Sequence, residues 1–427
     1  MNSNDFFVSI DIGTSTVKVI IGEMVNHTLN IIGVGNVKSD GLKKGSIVDI
    51  DNTVQSIRRA IDQAERMVGI QIRKVIVAIP AHHVELIDCH GVVAVNGENR
   101  EITNEDVERV IDAAQVMSIP PDREIINIVK KQFIVDNQDE INDPRGMIGV
   151  RLEMEGMLVT GPRSLLLNIL RCVEKAGLEI VDIVLQPLGT GELALSKDEK
   201  NLGSALIDIG GGSTTVTYFE EGHMKGTVLI PVGGDNITKD ISIVLRTSTE
   251  DAEKVKLEHG HAYYEHASSD EVFQLPVIGS NQKHEFNQLD IAEIIEARVA
   301  EIFDLALGEL RKMGVEYLPG GFVLTGGVAN MQGIPELAQE IFQNRVRVAV
   351  PDYLGVREPQ YTTAVGTIKY FYKNARLQGR LQDAAVVPVE QEEGRMKQQK
   401  PEKPKKAEPH EEKFTSKMRR FLGSFFE

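Results

Sequence analysis

Two short segments of this 427-residue chain place a carboxylate, a glycine turn and hydroxyls within a few residues of one another. The first is Asp11-Ile12-Gly13-Thr14-Ser15; the second is Asp208-Ile209-Gly210-Gly211-Gly212-Ser213-Thr214. A glycine turn lets backbone N–H groups approach an anion with no Cβ in the way. The hydroxyls of Thr14, Ser15, Ser213 and Thr214 add donors, which suits a phosphate chain. Phosphate would repel Asp11 and Asp208, so these carboxylates are expected to hold Mg2+ through water, an ion that prefers carboxylates and retained waters. Lys18 follows the first turn and can reach back to a phosphate as a point charge. One such turn alone reads equally well as a plain hairpin; two copies in similar surroundings point to a shared nucleotide. No P-loop is present, and Gly320-Gly321 with Gly326-Gly327 do not make a dinucleotide fingerprint.

Each turn follows an apolar run and precedes a β-prone one, so each is a strand–turn–strand unit. Around the first, strands are expected at 6–12, 17–23 and 29–37, a helix at 51–67 capped by Asp51 or Thr53, and a strand at 74–79. This order is the first half of a nucleotide-binding α/β domain. Residues 84–162 break the rhythm with a strand at 84–95, a helix at 104–116 capped by Thr103 or Asn104, and strands at 124–135 and 151–160. That is an inserted β-α-β-β subdomain. A helix at 163–175, a strand at 180–185, a turn at 186–189 and a helix at 190–195 lead into the second unit. Beyond it, helices are expected at 236–245, 249–259 (capped by Thr249), 291–313, 334–342 and 363–372, a short strand within 266–285, and a strand with a glycine turn at 320–329.

Further candidates lie in this second half. Val232-Gly233-Gly234-Asp235 is a turn opening a helix. Gly326 and Gly327 would let a flat ring and a ribose approach the backbone. Glu253 and Lys256, one helical turn apart, suit ribose and adenine-edge contacts, or are an ordinary surface pair.

The formal net charge of −16 argues against nonspecific binding to nucleic acid. Two cysteines, Cys89 and Cys172, supply neither a disulfide framework nor a zinc pattern, which fits an intracellular location. No signal peptide and no membrane-spanning segment is expected. His82, His83 and His90 have no metal-site spacing.

Residues 378–412 carry prolines among Glu, Lys and Gln and read as a disordered linker. After it, Phe414, Met418, Phe421, Leu422, Phe425 and Phe426 share one helical arc, with Lys413, Lys417 and Arg420 opposite. A short basic helix with bulky apolar residues is expected to lie in an anionic lipid interface. Docking on the body or on a partner protein is the other reading.

The motif order resembles the five-motif pattern of the actin-like ATPase superfamily. The two Asp-Ile-Gly turns are similar to its phosphate loops, residues 186–191 and 361–366 to its connecting segments, and 324–329 to its adenosine motif. Within the superfamily the chain resembles the FtsA family of bacterial cell-division proteins over nearly its full length. The insertion at 84–162, the run Val232-Gly233-Gly234-Asp235-Asn236-Ile237-Thr238, Asp251-Ala252-Glu253 leading to Lys256, and the tail carry that resemblance.

The resemblance implies an α/β, actin-like two-domain fold: duplicated ribonuclease-H-like domains around a nucleotide cleft, with the inserted subdomain and a C-terminal amphipathic helix. The first domain would occupy 1–83 and 163–197, the second 198–359 with an outer part at 236–315, a core helix at 360–377 would return to the first, and 413–427 would target the membrane. It further implies ATP as ligand, filament formation by self-association, and an FtsZ C-terminal peptide docking within 236–315. Later division proteins would bind 84–162, and the protein would be peripheral to the cytoplasmic face of the membrane at the septum. Glu253 and Lys256 become nucleoside contacts, and Gln186 falls where the superfamily orients the attacking water. A Gln positions water but is no general base, so at most slow ATP hydrolysis is expected. The alternatives are a pilus-assembly-type adaptor of this fold, which the tail argues against, and a metabolite kinase, for which no substrate acid or base is visible.

Overall fold

In the computed structural model, residues 5–97, 99–280, 282–377 and Leu381 are described. The expected membrane helix with Phe414, Lys417, Met418, Arg420, Phe421, Leu422, Phe425 and Phe426 lies outside them, as does the linker apart from Leu381.

The strand Asp5–Ile12 pairs antiparallel with Thr16–Val25, which pairs with Thr28–Lys38. Lys74–Ile79 then lies parallel to the first strand, and Glu179–Leu185 parallel to Lys74–Ile79. The result is a five-stranded sheet in the order third, second, first, fourth, fifth. Ser204–Ile209, Thr214–Glu220, His223–Ile230, Phe322–Thr325 and Val346–Val348 build a second sheet in the same order with the same directions. Among the described residues the fold is thus one unit built twice.

The central strand of the first sheet is buried on both sides, which is why Phe7, Val8, Ile10 and Ile12 run almost uninterrupted. The helix Ile50–Val68 covers the neighbouring strands Thr16–Val25 and Thr28–Lys38 with Val54, Ile57, Ala60, Ile61 and Ala64, at helical spacing. The helix Thr362–Leu377 returns from the second sheet to the first, where Phe371 packs on Phe7 with ring centroids 5.7 Å apart. Over the second sheet, Gln288–Lys312 buries Ile291, Ile295, Val299, Ile302, Phe303 and Ala306.

Helix starts differ from expectation by up to four residues. Asp49, not Asp51 or Thr53, caps the helix Ile50–Val68 by accepting from the Asn52 amide. Ser248, not Thr249, caps Thr249–His259. In both cases the capping residue is extended while its oxygen meets the first turn. The turn expected at 186–189 is the first turn of a helix, Gln186–Ala194.

The insertion is a four-stranded sheet covered by the helix Asn104–Ala114, which Thr103 and Asp106 close in a capping box. Its strands are Glu85–Ala94, Arg123–Val135, Gln138–Ile141 and Arg151–Pro162. Gln138–Ile141 is additional to the expected pattern. Asp136 and Asn137, both at positive φ, form the two-residue hairpin turn that makes it. Likewise, 266–285 holds strands of a hairpin, Val272–Pro276 with Lys283–Asn287, rather than one short strand.

Candidate functional site

The two Asp-Ile-Gly turns have one geometry. Gly13 N–H donates to the Thr16 carbonyl at 3.0 Å, and Gly210 N–H to the Ser213 carbonyl at 2.9 Å. A Cβ on Gly13 would lie 2.9 Å from Thr16 O, and one on Gly210 3.0 Å from Ser213 O. The registers match as well: Asp11 lies opposite Lys18, and Asp208 opposite Thr215. Thr215 is therefore the counterpart of Lys18.

These turns meet across a cleft. A Cβ on Gly211 would fall 1.7 Å from Ser15 Oγ, and one on Gly212 2.6 Å from Thr14 Cγ2. The second turn is pinned from behind by the helix Gly234–Val244: Gly234 N–H donates to Gly210 O at 2.9 Å and Asp235 N–H to Gly211 O at 2.7 Å. Gly45 N–H donates to Thr14 Oγ1 at 2.9 Å, and Ser15 Oγ to Asp235 Oδ1 at 3.3 Å.

A cavity of about 560 Å³ opens between the turns, a size that suits a small-molecule ligand. Asp11, Gly13, Thr14, Ser15, Lys18 and Gln186 line it from one side. Asp208, Gly210, Gly211, Gly212, Ser213, Gly234, Glu253, Lys256, Gly326 and Gly327 line it from the other. Of the expected ligand-binding residues only Thr214 is absent from the wall. It is buried, and its hydroxyl donates to the Val232 carbonyl at 2.8 Å. Strand alternation turns the next residue, Thr215, to the cavity instead.

Gln186 Nε2 donates to Asp11 Oδ1 at 2.8 Å, and Lys18 Nζ lies 3.9 Å from Asp11 Oδ2. Thr363 Oγ1 donates to Asp208 Oδ2 at 3.1 Å, a contact sequence reasoning did not supply. Burial pushes the Asp11 carboxyl above its ordinary range, against the pull of Lys18 and Gln186. Burial, then the neighbouring Asp11 charge, pushes Asp208 up to about 6. A buried carboxylate whose charge raises its half-buried neighbour suits a divalent cation between them. Among the described residues no group of three or more His, Cys, Asp or Glu side chains gathers to hold a metal. The donor set thus fits an ion that keeps waters or takes further oxygens from a ligand, as Mg2+ does.

Lys256 is buried, and its ammonium has three acceptors within the protein. They are Glu253 Oε2 at 2.6 Å, Thr238 Oγ1 at 2.8 Å and Gly234 O at 3.2 Å. Its charge is spent on tying the helices Gly234–Val244 and Thr249–His259 together, while the residue still lines the cavity. Beneath the main cavity, Gln186, Thr190, Asp208, Thr215 and Thr217 line a pocket of about 10 Å³, room for about one water.

The family model described as "Cell division protein FtsA" matches residues 205–366, and that for the SHS2 domain inserted in FtsA matches residues 81–160. "Cell division protein FtsA" of Bacillus subtilis (strain 168) is 62% identical over 380 residues, covering 89% of this chain and 86% of that protein. The protein of that name from Enterococcus hirae is 47% identical over 370 residues, covering 87% and 84%. Among solved structures, the PilM-PilN type IV pilus biogenesis complex matches with a TM-score of 0.58 at 14% identity, over 87% of this chain and 99% of that one. MreB5 of Spiroplasma citri bound to ADP matches with a TM-score of 0.55 at 16% identity, over 89% and 99%. At these identities the likeness is one of fold, and the fold is actin-like.

Proposed function

The chain belongs to the FtsA family of cell division proteins, and from that premise we propose that it is an ATP-binding, actin-like scaffold of the division septum. In this reading it polymerises, tethers FtsZ filaments to the cytoplasmic face of the membrane through its C-terminal helix, and recruits later division proteins. The observation that carries the nucleotide part is the convergence of two equivalent Asp-Ile-Gly turns on one cavity of about 560 Å³.

Asp11 and Asp208 are the residues to hold Mg2+ through water; bound there, the ion would neutralise phosphate charge. The backbone of Gly13, Gly210, Gly211 and Gly212, with Thr14, Ser15 and Ser213, would cradle the phosphates. Lys18 supplies a point charge to the same chain. Glu253, the Lys256 stem, Gly326 and Gly327 would hold the nucleoside. Gln186 positions water without accepting its proton, so nucleotide serves mainly as an assembly ligand and turnover stays below about 1 per second.

The FtsZ C-terminal peptide is assigned to the region 236–315, and later division partners to the insertion. Among the described residues no helix is long and apolar enough to cross a membrane, which is compatible with a peripheral attachment through 413–427. One such helix binds weakly, and a filament would multiply it into firm attachment.

The test is pelleting of anionic liposomes with fluorescent FtsZ, with and without residues 413–427 and ATP. Recruitment of FtsZ that depends on the tail supports the reading. Co-sedimentation that persists in Phe421→Glu would sink the membrane assignment.

A further inference from the structure

Gln186 has a support that lies outside the cleft. Its preceding strand, Glu179–Leu185, is an edge of the first sheet, so one row of its backbone groups has no neighbouring strand. Asn127 of the insertion takes that place. Its Nδ2 donates to the Ile183 carbonyl at 2.9 Å, and Leu185 N–H donates to its Oδ1 at 2.6 Å. One side-chain amide thus does what a neighbouring peptide would. Leu185 is the residue immediately before Gln186 and the extended cap of the helix Gln186–Ala194, which has no side-chain cap of its own.

The strand that carries Asn127 is also fixed at the neck of the insertion. Arg123 Nη2 donates to the carbonyls of His83 at 3.0 Å and Thr160 at 2.9 Å, and its Nη1 lies 3.1 Å from Glu85 Oε1. His83 precedes the first strand of the insertion and Thr160 lies in its last. Arg123 therefore binds the entry and exit of the insertion together on the strand that carries Asn127.

We propose that Asn127 is a positioning residue for Gln186, so that the inserted subdomain sets the geometry beside Asp11 from outside the cleft. The catalytic half of this inference rests on the reading of the cleft as an ATP site. Only the Leu185 arm of the clamp adjoins Gln186; the Ile183 arm satisfies the sheet edge.

The two arms can be separated in the full-length protein. Asn127→Ala removes both, whereas Asn127→Asp keeps an acceptor for Leu185 and loses the donor to Ile183. Hydrogen–deuterium exchange is compared without nucleotide. In Asn127→Ala the amides of 185–190 exchange about 10-fold faster or more. Asn127→Asp keeps wild-type protection there, and Asp5–Ile12 and Ser204–Ile209 are unchanged in both variants. Equal exchange in the two variants, no change in either, or acceleration across the whole first sheet would overturn the proposal.

Turnover of Mg·ATP supplies the second readout. Asn127→Ala lowers kcat about 10-fold while the Kd for a fluorescent ATP analogue stays within about twofold. Added to Gln186→Ala it causes no further loss, because the two act in series; a multiplicative loss would refute positioning. Wild-type protein that bound no ATP analogue would remove the nucleotide reading instead, and the exchange comparison would still decide whether the clamp exists.

Discussion

Replacing Gly326 with alanine probes how the second carboxylate is held. Gly326 turns the chain after the strand Phe322–Thr325 at a φ of +91°. A Cβ there would lie 2.4 Å from Asp208 Oδ1 and 2.5 Å from the Ile209 carbonyl. Left-handed backbone costs a residue with a Cβ about 1–2 kcal/mol, and forcing an extra methyl into packed atoms costs about 1–3 kcal/mol more. The sum, roughly 2–5 kcal/mol, is a large part of a typical stability of about 5–15 kcal/mol. At about 2 °C per kcal/mol for a chain of this size, the melting temperature falls by roughly 4–10 °C. The displaced Asp208 also weakens Mg·ATP binding about 10-fold or more, equivalent to about 1.4 kcal/mol. Gly327 is the internal control for stability, though not for binding, since it lines the cavity too. It is helical, at φ −61° and ψ −37°, with nothing within 4 Å of an added Cβ. Gly327→Ala stays within about 0.5 kcal/mol of wild type. Thermal melts and titration with a fluorescent ATP analogue measure both effects. Equal melting of the two variants would refute the close approach to Asp208.

Other perturbations have equally definite outcomes. Burial and the Asp11 charge push Asp208 up to about 6. Its contribution is therefore most favourable while protonated, and stability drains as pH rises from the ordinary 3.8 through about 6. Asp208→Asn should abolish that loss, melting higher than wild type at neutral pH without nucleotide, yet gaining little from Mg·ATP in the same thermal-shift assay. Glu192 has the opposite sign. Burial acts to raise it, but Lys200 at 3.2 Å and Lys373 at 3.1 Å outweigh burial and hold it below its ordinary 4.5. Its stabilisation is full above pH 4.5 and lost as pH falls below it. Burial pushes Lys200 down as well, so the pair gains less than its distance suggests, about 1 kcal/mol. Glu192→Gln should melt lower than wild type at pH 7, and the gap should close on acidification; a gap that widened would reverse the assignment.

What could be read from sequence was what is local. The Asp-Ile-Gly turns announce themselves because glycine, carboxylate and hydroxyl stand within a few residues, after apolar residues that are buried. Helix caps at Asp49 and Ser248 were missed narrowly, since the capping oxygen is chosen by where the first turn closes. The strand His223–Ile230 was missed outright: Lys225 and Gly226 weaken its pattern, and only pairing with Thr214–Glu220 holds it. Thr214 and Thr215 are chemically equal in the sequence, and register alone sends one to Val232 and the other to the cavity. Lys256 reads as half of a surface pair until Thr238 and Gly234, distant in sequence, close around it. Asn127 gave no signal, because its partners belong to another sheet.

The matched turns carry one more consequence. Two equivalent hairpins facing each other define a local pseudo-two-fold axis through the cleft. A cleft with that symmetry intact would not distinguish the two ends of a linear anion laid across it. Here the symmetry is broken at one matched position, where Lys18 stands on one side and Thr215 on the other. It is broken again by Glu253, which lines the cavity from the second half. Duplication supplied the grip, and the unmatched Lys18 at its matched position gives it a direction.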